Sequence, residues 1–108
     1  MLFLHANDFF EKVERIRMIT REEELIYAEM MAAGDPAGRE RLIEGYLPYV
    51  AAHIRHSNTK PSLELIMRCY AALEKAVDRF DFLQNSERFT HHLNWALRQA
   101  VVSYLAER

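Results

Sequence analysis

The chain has 108 residues, half of them apolar, and a formal net charge of −2. This length can bury one modest hydrophobic core, so we expect a single domain over residues 1–108. The negative charge argues against a protein that holds nucleic acid mainly through bulk positive charge. No apolar run approaches the roughly 20 residues needed to cross a bilayer, and the first residues are too few for a signal peptide, which predicts a soluble cytoplasmic protein.

Glycine and proline each occur three times, which favours helices joined by short connections. The predicted fold is all-α, a compact bundle of four main helices after a short leading one. In the leading helix, apolar residues recur at helical spacing, and Asn7 or Asp8 is the expected cap. These apolar residues are Phe9, Phe10, Val13 and Ile16.

Capping signals set the bounds of the next two helices. Thr20 and Glu23 have the spacing of a capping box, in which each side chain accepts a hydrogen bond from the other residue's backbone amide. This helix should end at Gly34, because glycine tolerates the left-handed backbone of a helix terminus. Asp35 and Pro36 have the residue types of an N-cap and a first helical position, so a third helix should begin there.

The fourth helix should follow a loop over residues 57–62, with Ser62 as its N-cap. Cys69 is the only cysteine, and its place on the apolar stripe of this helix indicates a buried thiol rather than a nucleophile. The stripe predicts a buried face that consists of Leu65, Ile66, Cys69, Leu73, Ala76, Val77 and Phe80.

The last helix carries the only tryptophan, Trp95, away from its predicted core face. That core face consists of Phe89, Leu93, Ala96, Leu97, Ala100 and Tyr104, with Val101 at its edge. Trp95 falls on the opposite side, with His91, His92, Arg98, Gln99 and Val102. We expect its indole to be exposed, where it could stack on a base or anchor an interface. Alternatively, another helix or a second copy of the chain covers it.

Clusters of ionisable residues do not form a predicted catalytic or metal site. Glu22, Glu23 and Glu24 are consecutive, and successive helical residues point about 100° apart, so we expect a helix start that faces water. His91 and His92 diverge in the same way. With no phosphate loop or nucleophile elbow in the chain, we predict no enzymatic activity, no metal and no cofactor.

Three segments occur in an order that is typical of one family. They are AGD followed by RERLIE, AVDRFD at the end of the fourth predicted helix, and RQA after an aromatic residue in the last. Over residues 19–103 the chain resembles region 2 of bacterial RNA polymerase sigma factors of the sigma-seventy family. The resemblance implies an all-helical domain that binds the polymerase clamp, reads the minus-ten promoter element and holds flipped bases of the non-template strand.

The resemblance also implies which residues contact DNA. Trp95 and Gln99 match positions that meet the upstream edge of the melted promoter, and Phe89 matches an aromatic residue of the melting segment. His92 stands where the family has a tyrosine, while Ala96 replaces one of two adjacent tryptophans. Arg98 lies beside these residues and could meet a phosphate.

The clamp-binding segment departs from the family pattern. Where the family has Asp-Leu-Ile-Gln-Glu-Gly, this chain has ELIMRC. The resemblance places Glu64, Met67 and Arg68 at the polymerase, with arginine in place of an acidic residue and so the opposite charge for a basic partner. A polar, open face around Met67, Arg68 and Tyr70 would favour polymerase docking, and an apolar face paired with another copy would favour an adaptor.

Several functional interpretations remain open. The chain has no second domain to read the minus-thirty-five element, so it is an excised fragment, one half of a split sigma factor with a separate region 4-like partner, or a degenerate sigma-like regulator. We expect a stand-alone sigma-like protein rather than a fragment. The leading function is transcription initiation with polymerase core and promoter DNA, and the alternative is a protein–protein adaptor without DNA melting. An anti-sigma factor is a further expected partner, a membrane is not, and a helical-bundle enzyme ranks third.

Overall fold

A computed structural model describes residues 4–107 and confirms the all-α prediction. Within that range there are five helices and no strand, and no helix is long and apolar enough to cross a membrane. The helices are α1 (Ala6–Val13), α2 (Arg21–Ala32), α3 (Pro36–Arg55), α4 (Leu63–Arg79) and α5 (Phe89–Ala106).

Three of the predicted helix starts are confirmed by their hydrogen bonds. Thr20 Oγ1 accepts from the Glu23 amide at 3.1 Å while Glu23 Oε1 accepts from the Thr20 amide at 3.0 Å, which completes the capping box of α2. Asp35 accepts from the Ala37 amide at the start of α3. Ser62 accepts from an amide in the first turn of α4. These side chains satisfy amides that would otherwise lack an intrahelical partner.

The turn between α2 and α3 also follows the prediction. Gly34 has φ +89°, a backbone conformation in which an L residue is strained. Gly38, in the first turn of α3, lies where the two helices are closest. A Cβ built on Gly38 would approach the Tyr27 carbonyl oxygen to 2.4 Å, so only glycine permits this approach of α3 to α2.

The predicted cap of α1 is wrong. The helix begins at Ala6, and the N-cap is His5, whose Nδ1 accepts from the Asp8 amide at 3.2 Å. Asp8 lies inside the first turn instead, where its carboxylate accepts from the Leu4 amide at 3.1 Å. That hydrogen bond lowers the pKa of Asp8. A histidine can take the capping role because its ring nitrogen is an acceptor when the imidazole is neutral.

The core lies where α3 packs against α1, α2 and α4, and α5 packs against α4. The predicted stripe of α4 is buried except for Phe80, which is half-buried. Burial raises the pKa of the Cys69 thiol to about 11, so the thiol is protonated at neutral pH, in keeping with its predicted structural role. On α1, Phe9 and Val13 are buried.

Glu24 corrects the prediction for the glutamate cluster. Its side chain is only 2% exposed, whereas Glu22 faces solvent as expected. Glu24 Oε1 accepts a hydrogen bond from the Tyr46 hydroxyl at 2.6 Å, and its other oxygen accepts from Arg21 at 2.6 Å. Burial, and then the bond to Glu24, raise the pKa of Tyr46 far above its usual range. A buried carboxylate is tolerated here because both of its oxygens have donors.

We predict that Tyr46→Phe destabilises the fold. The change removes the hydroxyl that donates to Glu24 Oε1 and leaves that oxygen, among residues 4–107, buried without a donor, at a cost of about 1–3 kcal/mol. Urea unfolding followed by circular dichroism measures the change. Tyr49→Phe is the matched control, because its hydroxyl donates to the Thr90 carbonyl over 3.4 Å and should contribute less. Equal losses in the two variants would contradict the assignment.

Candidate functional site

The exposed side of α5 carries the tryptophan. Trp95 is 61% exposed, which confirms the prediction that the apolar stripe of this helix leaves it outside the core. The opposite side of the helix is buried through Leu93 and Leu97. We call the solvent-facing side the α5 outer face; it consists of His91, Trp95, Arg98, Gln99 and Val102, all of which are exposed.

The structure brings only some of the predicted DNA-contacting residues to this face. Trp95, Arg98 and Gln99 are exposed within two turns of each other. His92 is half-buried, with its ring centroid 5.5 Å from that of Phe80. Phe89 lies in the core at 1% exposure. The predicted set therefore divides into an exposed group of three residues and two residues that belong to the interior or its edge.

Phe89 is the centre of a buried aromatic cluster. Its ring centroid lies 4.8 Å from Tyr46, 5.2 Å from Phe80 and 4.8 Å from Phe82. These separations are within the range at which aromatic rings attract each other. Phe89 was predicted to lie on the core face and also to contact DNA, and the structure confirms that it lies in the core. A contact between Phe89 and a DNA base would require this cluster to open.

The net charge of the chain hides a separation of charge along the sequence. Residues 45–63 and 88–106 contain no aspartate or glutamate, and each segment carries two lysine or arginine residues. Their formal charge is therefore +4, while the rest of the chain carries −6, and together these give the net −2. Four of the five histidines also lie in the two segments. An anionic partner would be attracted to this part of the surface despite the overall charge.

The fold places these two acid-free segments side by side. Tyr49 of α3 donates its hydroxyl hydrogen to the Thr90 carbonyl of α5 at 3.4 Å. Towards the end of α3, a groove of about 320 Å³ separates it from α5; its lining consists of His53, His56, Ser57, Arg98, Val101 and Val102. The two groove histidines, His53 and His56, were not predicted from the sequence as site residues. The feature of the sequence that could have indicated these histidines is the absence of acidic residues from 45 to 63. This feature becomes informative once α3 is known to lie beside α5.

The predicted polymerase-contacting residues lie together at the start of α4. Met67 is 45% exposed, and Glu64 is also exposed. Arg68 donates hydrogen bonds to Glu107 and to Glu64, the latter at 3.4 Å, and its guanidinium lies 5.7 Å from the centroid of the Tyr104 ring. Glu64, Arg68 and Glu107 thus carry a formal charge of −1 as a group. Arg68 alone therefore does not reverse the charge of this surface.

The groove next to this surface carries charged side chains among apolar ones. Tyr70, the third residue of the face expected to discriminate polymerase docking from an adaptor, is half-buried. It lines a groove between α3 and α4 with three glutamates and one arginine: Glu40, Glu44, Glu74 and Arg39. Arg39 pairs with Asp78 through two hydrogen bonds of 2.6 and 3.0 Å. Across residues 4–107, no three His, Cys, Asp or Glu side chains are grouped to hold a metal ion.

Comparison with known proteins gives a relationship but no family assignment. No family model matches the chain. It is 28% identical over 102 residues to RNA polymerase sigma factor SigA of Listeria monocytogenes and, equally, to that of Listeria innocua. The alignment covers 93% of this chain and 27% of each relative, so the chain spans about a quarter of the length of these curated relatives. This similarity supports a sigma-factor-like relationship and does not assign the chain to a particular region.

We predict that Arg68→Met raises the pKa of Glu107. In the parent chain, the hydrogen bond and the charge of Arg68 lower the pKa of Glu107. The ion pair between Arg68 and Glu107 is therefore lost as the pH falls through that lowered pKa. A carbon-13 NMR titration of the carboxyl groups measures the change. Glu23 is the internal control, since Arg17 and the Thr20 amide hold its pKa at about 2 independently of Arg68. An unchanged Glu107 pKa in the variant would show that the ion pair is absent in solution.

Proposed function

We propose that residues 1–108 form a single sigma region 2-like domain that takes part in transcription initiation, without catalysis of its own. In this proposal the domain binds RNA polymerase core and the non-template strand of the minus-ten element. The observation that carries the proposal is the exposed indole of Trp95 beside Arg98 and Gln99 on the α5 outer face. The sigma-factor-like relationship supports it, because SigA proteins are named as RNA polymerase sigma factors.

The chemistry of the α5 outer face suits single-stranded DNA. An exposed indole offers a flat surface to any base, and stacking contributes about 1–3 kcal/mol per base. The amide of Gln99 can read a base edge, and Arg98 can meet a phosphate. The two acid-free segments carry only a small net positive charge, and the rest of the chain is negative, so the general attraction to phosphates is weak. We therefore expect the isolated chain to bind weakly and polymerase core to strengthen binding.

The surface at the start of α4 suits a basic protein partner. Glu64 and Glu107 flank Arg68 and leave the group acidic, while Met67 supplies an exposed apolar side chain. Opposite charges across an interface steer association, and flexible methionine side chains adapt to a partner surface. Polymerase docking at this surface is part of the proposal. A pull-down with polymerase core tests this docking site. Met67→Glu should lose retention, whereas Ile26→Glu, at an exposed position on α2, should not.

A second candidate function is a protein–protein adaptor that keeps the fold without melting DNA. The burial of Phe89 favours it, since this aromatic ring is engaged with Tyr46, Phe80 and Phe82. Ala96 also leaves Trp95 without an aromatic neighbour in sequence. The two functions differ in one measurable property, which is whether single-stranded promoter DNA is bound through Trp95.

We predict that Trp95→Ala weakens binding to a fluorescent minus-ten oligonucleotide by about 1–3 kcal/mol, the cost of losing one stacked base. Fluorescence anisotropy titrations, with and without polymerase core, measure it. Ile26→Ala is the matched control, because this side chain is 55% exposed on α2 and lies outside the α5 outer face. If neither condition shows binding that depends on Trp95, the DNA function is wrong and the adaptor takes its place.

We predict a different effect for Gln99→Ala. A side-chain amide reads base edges by hydrogen bonds, so the variant should lose preference at the upstream base of the element more than total affinity. The same titration with oligonucleotides that vary only at that base measures the preference. A variant that loses affinity equally for every base would indicate that Gln99 contacts the backbone instead.

A further inference from the structure

We infer that the groove between the end of α3 and α5 is a phosphate-binding site in which His53, His56 and Arg98 hold one backbone phosphate of the bound strand. This inference rests on the proposed DNA function and adds a second element, α3, to the contact surface. Neither histidine is implied by the family resemblance.

The lining of the groove favours an anion. Its ionisable groups are two imidazoles and one guanidinium, and no carboxylate lines it. The groove between α3 and α4 is the opposite case, with three glutamates against one arginine. Both grooves are of a size that admits a phosphate, so charge decides between them. In a chain of net charge −2, the α3–α5 groove is a place where an anion meets donors and cations beside two valines, and no carboxylate.

Arg98 is available for a ligand. Among residues 4–107, Arg17, Arg39 and Arg68 are each paired with a carboxylate, whereas Arg98 has no such pair. An exposed guanidinium offers two parallel N–H donors that match two phosphate oxygens. Arg55, nearby on α3, is directed elsewhere: it lies over the Phe10 ring at 4.6 Å and 4.0 Å from Glu14 of α1.

The two histidines supply donors that depend on pH. His53 is half-buried, and burial lowers its pKa, with the positive charge of Arg98 acting in the same direction and a hydrogen bond with Asn94 opposing them. A phosphate between these groups would replace repulsion by attraction and favour the imidazolium form. His56 is exposed at the end of α3 and faces the same groove. Ser57 adds a neutral hydroxyl to the lining.

The position of the groove relative to Trp95 fits a single bound nucleotide strand. Arg98 follows Trp95 by three residues, and side chains with this spacing are neighbours on one helix face, about 5–6 Å apart at Cβ. A base stacked on Trp95 would therefore have a phosphate of its own strand within reach of Arg98. From Arg98 the groove continues to His53 and His56 on α3. One strand can thus contact α5 through a base and α3 through its backbone.

The inference predicts that DNA binding strengthens as the pH falls. A bound phosphate raises the pKa of a neighbouring imidazole. The resulting gain in DNA affinity is therefore complete below the pKa of the free imidazole, and it is lost as the pH rises through the higher pKa of the complex. A rise of one pKa unit corresponds to about tenfold in affinity. We expect about a tenfold fall in oligonucleotide affinity between about pH 5.5 and about pH 8, within the usual titration range of histidine.

Anisotropy titrations of the minus-ten oligonucleotide across this pH range test the site. His56→Gln and Arg98→Gln should weaken binding at low pH, and His56→Gln should flatten the pH dependence, while His5→Gln should leave both nearly unchanged. His5 is the matched control because it is exposed at the start of α1 and belongs neither to the α5 outer face nor to the groove, and glutamine keeps an acceptor for the α1 cap. His53→Gln alters a half-buried position, so His56→Gln provides the independent test. A pH dependence that is the same in His56→Gln and the parent chain overturns the inference.

Two further arms separate this inference from the proposed function. Binding that depends on Trp95 but not on His56, Arg98 or pH would retain the function and overturn the phosphate site. An NMR titration of the imidazoles with inorganic phosphate, against chloride at equal ionic strength, tests the groove without DNA. If phosphate shifts the imidazole resonances of His53 and His56 while the oligonucleotide does not bind, the assignment to DNA is overturned. An oligonucleotide with neutral methylphosphonate linkages should lose the pH dependence.

Discussion

The hydrogen bond from Tyr46 to Glu24 is the contact on which the arrangement of the other helices depends. It joins α3 to α2 inside the core, and the Tyr46 ring then packs against Phe89, the first residue of α5. The N-cap residue of α5, Arg88, makes no side-chain capping bond, so tertiary packing of Phe89 rather than a local cap fixes where this helix begins. The direction of every residue on the α5 outer face follows from that starting point.

A fixed direction for α5 allows one small domain to present two surfaces of opposite charge. The acid-free segments meet along α3 and α5, and the carboxylates of α3 and α4 lie around the other groove. Charge complementarity mainly governs association rates and the exclusion of wrong partners. A polyanion and a basic protein would therefore be directed to different sides of the same bundle. The net charge of the chain carries none of this information.

Features that depend on neighbours in sequence were predictable, and features that depend on distant residues were not. The capping box of Thr20 and Glu23 and the turn at Gly34 act within four residues, so the sequence alone predicts them. Glu24 meets a hydroxyl 22 residues away, and Arg68 meets a carboxylate 39 residues away. Helical periodicity also placed Trp95 outside the core. It could not show that the end of α3 lies beside Arg98 on the same helix, which is why His53 and His56 were missed.

The burial of Phe89 separates recognition of a DNA strand from its melting. Removing a large aromatic side chain from a core costs about 3–5 kcal/mol, and one stacked base contributes about 1–3 kcal/mol, so DNA contacts alone would not extract Phe89 from its cluster. Trp95, Gln99, Arg98 and the groove histidines, by contrast, are reached without any change in the core. In the proposed function, this domain therefore captures a strand that is already open. The work of opening the duplex falls to polymerase or to another protein in the complex.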